Sequence, residues 1–378
     1  MDLSRRALIR GAAGASLALS GALDAATRPA PRPAAAVSGP IIDLHSHWIS
    51  PAVLASLGQR LSGPRVLHDD RGRTLLARPL AGQAGPAAVL GPSWLDIDVR
   101  LAHLESLGIA HQLLSWPTTL GIDPNLSPAE SVALWSAYNT DLAAVVRAHP
   151  RQFSGLAALS TSDIGWSVRE LQRGHQELGF IGGVLPVNGF ASLDAASHFA
   201  PILEAAQRLG SHLFLHTGFA HQSVSGQPPL TLHADTAEVR GALDTAWQFA
   251  SSVVTLGYTE FLDPYPDVTV QIAMLGGSGV SALLAESVTR SGIALSPRFK
   301  RLLFDTGAAG QGPAAIAAAS RVFGASQVVF GSDYGPSADI GGVVRHVAEA
   351  GLAPADHARV LFGNAAALLG RHGVTVGG

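Results

Sequence analysis

His45 and His47 stand one residue apart at the end of an apolar run, in IIDLHSHWISP (41–51). Alternate residues of an extended strand share a face, so two imidazoles at this spacing can converge on one point. Such a pair either ligates a metal or caps a core. Two further runs end on groups of the same kind. LFLHTG places His216, and VFGSDYG places Asp333, after short apolar stretches. Three neutral imidazoles and a carboxylate suit one borderline divalent cation such as zinc, and leave room for water. A bound cation lowers the pKa of its water toward about 7 and can position or polarise a substrate oxygen. Each element alone is a weak signal. Their joint occurrence at three strand ends is specific.

Composition narrows the chemistry further. The 378-residue chain has no cysteine, which excludes disulfides, a thiolate nucleophile and a Cys-based zinc site. Lys300 is its single lysine, just before RLLFDTG and away from any strand end. A Schiff-base aldolase would need a lysine inside a barrel. A binuclear site bridged by a carboxylated lysine would need one in FIGGVLPV, which has neither lysine nor acid. Hydrophobic residues make up 47%, charged residues 14%, and the net charge is −3. A large core is available, and there is no basic footprint for nucleic acid. The expected partner is a small-molecule substrate.

The elements that must position these groups follow a rhythm. The apolar runs at 41–45, 110–116, 153–159, 180–187, 212–218, 268–274, 301–307 and 327–333 read as strands. Helical patterns lie between them, such as 128–150 and 199–210, the latter ending on Gly210 as a C-cap. Eight strands alternating with helices predict an α/β fold of the (β/α)₈ TIM-barrel type over residues 40–370. The alternative is a doubly wound open sheet. It usually carries a Gly-rich fingerprint after its first strand, where this chain has His-Ser-His. The Pro/Gly-rich stretch 58–95 reads as a small insertion after the first strand, a short hairpin over the barrel mouth. In such barrels the strand C-termini form the active face.

Residues 1–36 read as leader rather than fold. Ser4-Arg5-Arg6, Leu8, Ile9 and Arg10 precede a mild apolar run, the pattern of a twin-arginine export signal. Residues 27–39 read as flexible. The expectation is a periplasmic or extracellular protein without stable membrane association after export.

Taken together, the motifs resemble the amidohydrolase superfamily. The nearest group is the one around aminocarboxymuconate-semialdehyde decarboxylase and the γ-resorcylate-type decarboxylases. The motifs are DLHSHWISP, WLDIDVRLAHLESLGI, YNTDLAAVVRAHPRQFSGLAAL, LFLHTG, LLFDTG, FGSDYG and GNAAALLG. The resemblance implies a distorted (β/α)₈ barrel, one divalent metal, usually zinc and sometimes manganese, held by His45, His47, His216 and Asp333, and often a homodimer. It also exposes a departure. The group places a histidine after the sixth strand, in A-H-x-G-G, whereas this chain reads QIAMLGGSG, with Met274 at that position. A thioether cannot transfer a proton. General acid–base help is worth about 10²–10⁴-fold, so its loss slows turnover without abolishing metal binding. His221, His233 and Asp305 are the candidate substitutes, with Asp305 better suited to orienting a neighbour. Arg100, with Arg78 beside it as a second candidate, could pair with a substrate carboxylate. Trp48 could wall an aromatic pocket or pack under the loop.

The expected activity is non-oxidative decarboxylation of a small aromatic or unsaturated acid, with Asp333 and His216 in the catalytic centre. A metal-dependent hydrolase of an ester, lactone or amide is the first alternative. An exported metal- or ligand-binding barrel with impaired catalysis is the second.

Overall fold

A computed structural model describes residues 39–80, 83–84, 87–231, 233, 235–307 and 312–376. The proposed leader therefore lies outside the described residues. Eight parallel strands run in sequential order: β1 (Ile41–His47), β2 (Ile109–Ser115), β3 (Phe153–Ala158), β4 (Gly182–Pro186), β5 (His212–His216), β6 (Thr269–Ile272), β7 (Leu302–Asp305) and β8 (Val328–Val329). Each of the eight expected runs supplies one strand. They were legible because parallel strands covered on both faces read as near-continuous apolar runs. β3, β4 and β5 are buried at every residue.

β8 is only two residues long, so the barrel closes through the chain that follows it. Leu44 N–H donates to Phe330 O (3.0 Å), Asp333 N–H to His45 O (2.8 Å) and His47 N–H to Tyr334 O (2.7 Å). These bonds carry Asp333 to the end of β1, beside its two histidines. A buried polar chain braces the same seam. Asp43 accepts from Ser332 N–H (2.9 Å) and Gln112 Nε2 (2.7 Å), and Gln112 Oε1 accepts from Arg100 (2.7 Å).

The connecting helices form where their sequences carry start and stop signals. Helix Pro128–Ala148 opens on a capping box between Ser127 and Glu130. Helix Ala200–Leu209 ends on Gly210 at φ 61°. The insertion is more structured than a single hairpin. It contains helix Pro51–Gly58 and an antiparallel sheet of Arg65–His68, Thr74–Ala77 and Ala88–Val89. Val66 and Leu76 bury its inner face. Among the described residues, no helix is long and apolar enough to cross a membrane.

The sixth unit departs from expectation. β6 stops at Ile272, and Met274 lies in a left-handed turn rather than at a strand end. Met274, Leu275, Gly276, Gly277, Ser278 and Gly279 all have positive φ, between 51° and 90°. Such backbone costs about 1–3 kcal/mol at each non-glycine position. The surroundings demand glycine within it, since a Cβ on Gly277 would sit 2.7 Å from Ala246 O.

The pairing of β4 with β5 gives a stability test. A Cβ on Gly182 would lie 1.6 Å from the His212 carbonyl oxygen, on the strand that carries His216. Gly182→Ala is expected to destabilise the protein by more than about 4 kcal/mol. Gly58→Ala, with open space around it, should change stability by no more than about 0.5 kcal/mol. Urea denaturation reads both, and a Gly182→Ala protein as stable as wild type would contradict this strand register.

Candidate metal centre

His45, His47, His216 and Asp333 meet at the C-terminal mouth of the barrel, with one donor atom from each within 4.8 Å of every other. His45 Nε2 lies 3.1 Å from His47 Nε2, which lies 3.1 Å from His216 Nε2. Asp333 Oδ1 is 3.3 Å from His45 Nε2 and 3.1 Å from His47 Nε2. Angles at Asp333 Oδ1 are poor, so it accepts no proper hydrogen bond despite its burial.

The outward ring nitrogens explain this convergence. His45 Nδ1 donates to Asp305 Oδ1 (2.9 Å). The Ser115 hydroxyl gives its proton to Ser46 O (3.1 Å), leaving Oγ to accept from His47 Nδ1 (3.2 Å). Thr118 works in the same way. Its hydroxyl donates to Thr217 O (2.8 Å) and accepts from His216 Nδ1 (3.1 Å). Each acceptor fixes a tautomer with Nδ1–H outward and the Nε2 lone pair inward.

Three inward lone pairs and a carboxylate oxygen repel one another unless a cation lies between them. Neighbouring donors around one ion at ~2.1 Å sit roughly 3.0–3.4 Å apart, which the observed spacings meet. The donor set therefore fits a divalent cation. The three histidines are buried, whereas 15% of the Asp333 side chain is exposed, so the cluster opens to the mouth on its carboxylate side. Asp333 holds that position with left-handed backbone (φ 57°), a region aspartate tolerates better than most residues.

Electrostatics couple the four groups. Burial pulls the His45 imidazole down, but Asp305 and Asp333 outweigh it and push it up to about 10. Burial lowers His47, and Asp333 only partly offsets this. His216 falls well below its ordinary value through burial and the neighbouring His47 and His45. Burial raises Asp333, yet His45 and His47 prevail and hold its carboxyl well below the usual range.

Beside the cluster lies a narrow recess of about 10 Å³, room for about one water, bounded by Trp116, Thr118, Trp135, Thr161, Pro186 and Phe219. Its charged wall residue, Asp123, is occupied with Trp135 Nε1 (2.9 Å) and Thr161 N–H (2.9 Å). The recess is thus apolar and aromatic, with neutral hydroxyls.

Other candidates fall elsewhere. Arg100 is fully buried behind β1, bonded to the carbonyls of His47 and Ser93 and to Gln112, and stacked 4.6 Å from the Tyr334 ring centroid. It braces the site and cannot meet a substrate, which corrects its expected role. Trp48 is likewise buried, donates to Leu95 O (3.2 Å) and packs near Tyr138. Of its two expected roles, packing holds. The half-buried His221 bonds Ser223 Oγ (2.8 Å), and His233 pairs with Asp244 (2.6 Å). Neither ring has a contact with the four-residue cluster. Asp305 does reach it, through His45. Met274 stands at the mouth, where Thr217 Oγ1 donates to its sulfur (3.5 Å).

Residues missed from sequence are Ser115 and Thr118. They are the hydroxyls at and just after the end of β2, where SWPTT follows a strand on the active face. Arg78, only a side candidate from sequence, reaches from the insertion to Thr119 O (2.6 Å), and its buried Nε has no partner.

Comparison with known proteins agrees with this architecture. A sequence model of the amidohydrolase family matches residues 129–371. A 2-amino-3-carboxymuconate-6-semialdehyde decarboxylase of Dictyostelium discoideum is 35% identical over 124 residues. The match spans 32% of this chain and a third of that relative's length (33%). A 5-carboxyvanillate decarboxylase of Novosphingobium aromaticivorans, solved with manganese and 4-hydroxy-3-methoxy-5-nitrobenzoic acid, superposes with a TM-score of 0.64 at 18% identity, covering 88% of this chain and 96% of that one. A 2,6-dihydroxybenzoate decarboxylase from Rhizobium gives 0.61 at 18% identity, covering 88% and 99%. A dihydroxybenzoic acid decarboxylase of Polaromonas sp., solved with manganese and 2-nitroresorcinol, gives 0.62 at 19% identity, covering 88% and 97%.

The protonation pattern sets a pH test. Below about 10 the empty cluster holds a proton on His45, and a cation needs that imidazole neutral. Cation binding near pH 8 should therefore release about one proton, and affinity should rise as pH rises toward 10. Calorimetric titration in buffers of different ionisation enthalpy counts the proton. A count of zero, with affinity independent of pH, would contradict this assignment.

Proposed function

Since the chain belongs to the amidohydrolase family, we propose that it is a metal-dependent, non-oxidative decarboxylase of a small aromatic carboxylic acid. The observation that carries this reading is the cluster of three inward imidazole lone pairs and Asp333 beside an aromatic recess. His45, His47, His216 and Asp333 would hold one divalent ion. Zinc and manganese both suit this donor set, and the manganese-bound structures of similar fold put manganese at least level with zinc. When bound, such an ion supplies positive charge that anchors substrate oxygens.

The remaining work falls to this chain's own groups. Trp116, Trp135 and Phe219 give the recess beside the cluster an aromatic lining, which suits contact with a substrate ring at the mouth. Arg78 is the cation assigned to the substrate carboxylate in place of Arg100, because it reaches the loop beside His216 and has an unpartnered Nε. Decarboxylation breaks the bond from ring to carboxylate, and a proton replaces CO₂ on the ring carbon. Asp333, the member of the cluster open to the mouth, is the group placed to move that proton. His216 has Nδ1 committed to Thr118, so its role is to hold the ion.

Met274 favours a second reading, a metal-binding barrel with impaired turnover. A thioether can neither activate water nor deliver a proton, which weakens hydrolysis and decarboxylation alike. Export by the twin-arginine route, and a homodimer, belong to the proposal on the sequence pattern and the family resemblance alone.

Product analysis tests the reading. Manganese- or zinc-loaded protein incubated with hydroxybenzoates in D₂O should release CO₂ and leave one deuterium on the ring. A new carboxylate without CO₂ would replace the decarboxylase with a hydrolase. Met274→His should raise the rate by about 10²-fold or more if the missing base limits turnover. An inert wild type beside an active Met274→His protein would establish the impaired-turnover reading.

A further inference from the structure

Beneath His45, the barrel interior holds a hydrogen-bonded chain that the proposed reaction leaves unused. It runs from His212 at the bottom of β5, through Gln271 on β6, to Asp305 at the end of β7. All three side chains are fully buried. Gln271 Nε2 donates to Asp305 Oδ2 (2.7 Å) and to Leu44 O (3.0 Å). Both partners are acceptors, so the amide can face only one way, with Oε1 toward His212 Nε2 (3.1 Å). That oxygen requires a proton on Nε2. His212 Nδ1 is then the acceptor and takes the Thr269 hydroxyl (3.1 Å). Burial drives His212 down to about 3, which keeps the ring neutral as this pattern requires.

The two oxygens of Asp305 are served unequally. Oδ1 accepts from His45 Nδ1 (2.9 Å), Gly307 N–H (2.8 Å) and Met274 N–H (3.1 Å). Among the described residues, Oδ2 has Gln271 as its side-chain or backbone donor. Gln271 thus sets the rotation of the carboxylate that fixes the His45 tautomer.

We infer that Gln271 and His212 are positioning residues for the metal centre. They hold Asp305, and through it His45, from the barrel floor by a chain of directed hydrogen bonds. The inference rests on the metal-centre reading above. Outer partners of metal-bound histidines are typically worth about 10–100-fold in metal affinity.

The test uses the full chain with Gln271→Met, which keeps length but loses both hydrogen-bonding functions, and a His212 pair. His212→Leu removes the donor to Gln271, and His212→Gln can supply another. Mn²⁺ affinity is measured by calorimetry, and the His45 tautomer by ¹⁵N NMR of the Zn²⁺-loaded form. Gln271→Met is expected to bind Mn²⁺ about 10–100-fold more weakly and to lose the ordered His45 Nδ1–H signal. His212→Leu should weaken binding about 10-fold or more, and His212→Gln should restore most of it. A folded Gln271→Met protein with wild-type affinity and tautomer would overturn the inference while leaving the metal centre intact. So would equal weakening by the two His212 variants, which also decide the matter if Gln271→Met fails to fold. A wild type that binds no ion overturns the metal centre, and the inference with it.

Discussion

The repulsion among three imidazole lone pairs and a carboxylate oxygen, with neighbouring donors 3.1–3.3 Å apart and all within 4.8 Å, is the constraint around which this barrel is organised. Left free, the rings would turn away or solvate. Each is prevented by an acceptor on its outer nitrogen: Asp305 at the end of β7, Ser115 at the end of β2 and Thr118 in the loop after β2. Without a cation, a proton on His45 relieves part of the repulsion. The same carboxylates that attract this proton would attract an ion.

The seam between β8 and β1 shows how the fold supports that arrangement. β8 contributes two paired residues, too few to fix a strand by itself. The Arg100–Gln112–Asp43–Ser332 chain and the Asp333 N–H to His45 O bond lock the following loop onto β1. Burying such a network is favourable only when every member is satisfied. Arg100 approaches that condition with three acceptors and the Tyr334 face, although its Nε stays unpartnered. The left-handed Met274–Gly279 turn stores backbone strain at the neighbouring mouth, where strain commonly accompanies function.

Much of this was legible in the sequence, for physical reasons. Continuous apolar runs located all eight strands, and polar groups ending such runs located the four candidate ligands. Helix Ala200–Leu209 was marked by its glycine stop. The rest depended on tertiary direction. In IDVRLAHLESL no local signal separates a buried Arg100 from a surface charge, because burial comes from the β1 carbonyl it meets. Trp48 poses the same difficulty, because its burial depends on Tyr138 and the Leu95 carbonyl, which come from elsewhere in the chain. Thr118 and Gln271 lack the charge that draws attention to a ligand, yet they set tautomers and carboxylate rotation. QIAMLGGSG carries three glycines after β6, but nothing local foretells left-handed backbone at Met274 and Leu275.

The central claim is that His45, His47, His216 and Asp333 form a divalent metal site. Elemental mass spectrometry of the purified chain, alongside His216→Ala, tests it most directly. The account predicts about one manganese or zinc ion per wild-type chain and a loss of that ion in the variant. A wild type that stays metal-free after incubation with either ion would contradict it.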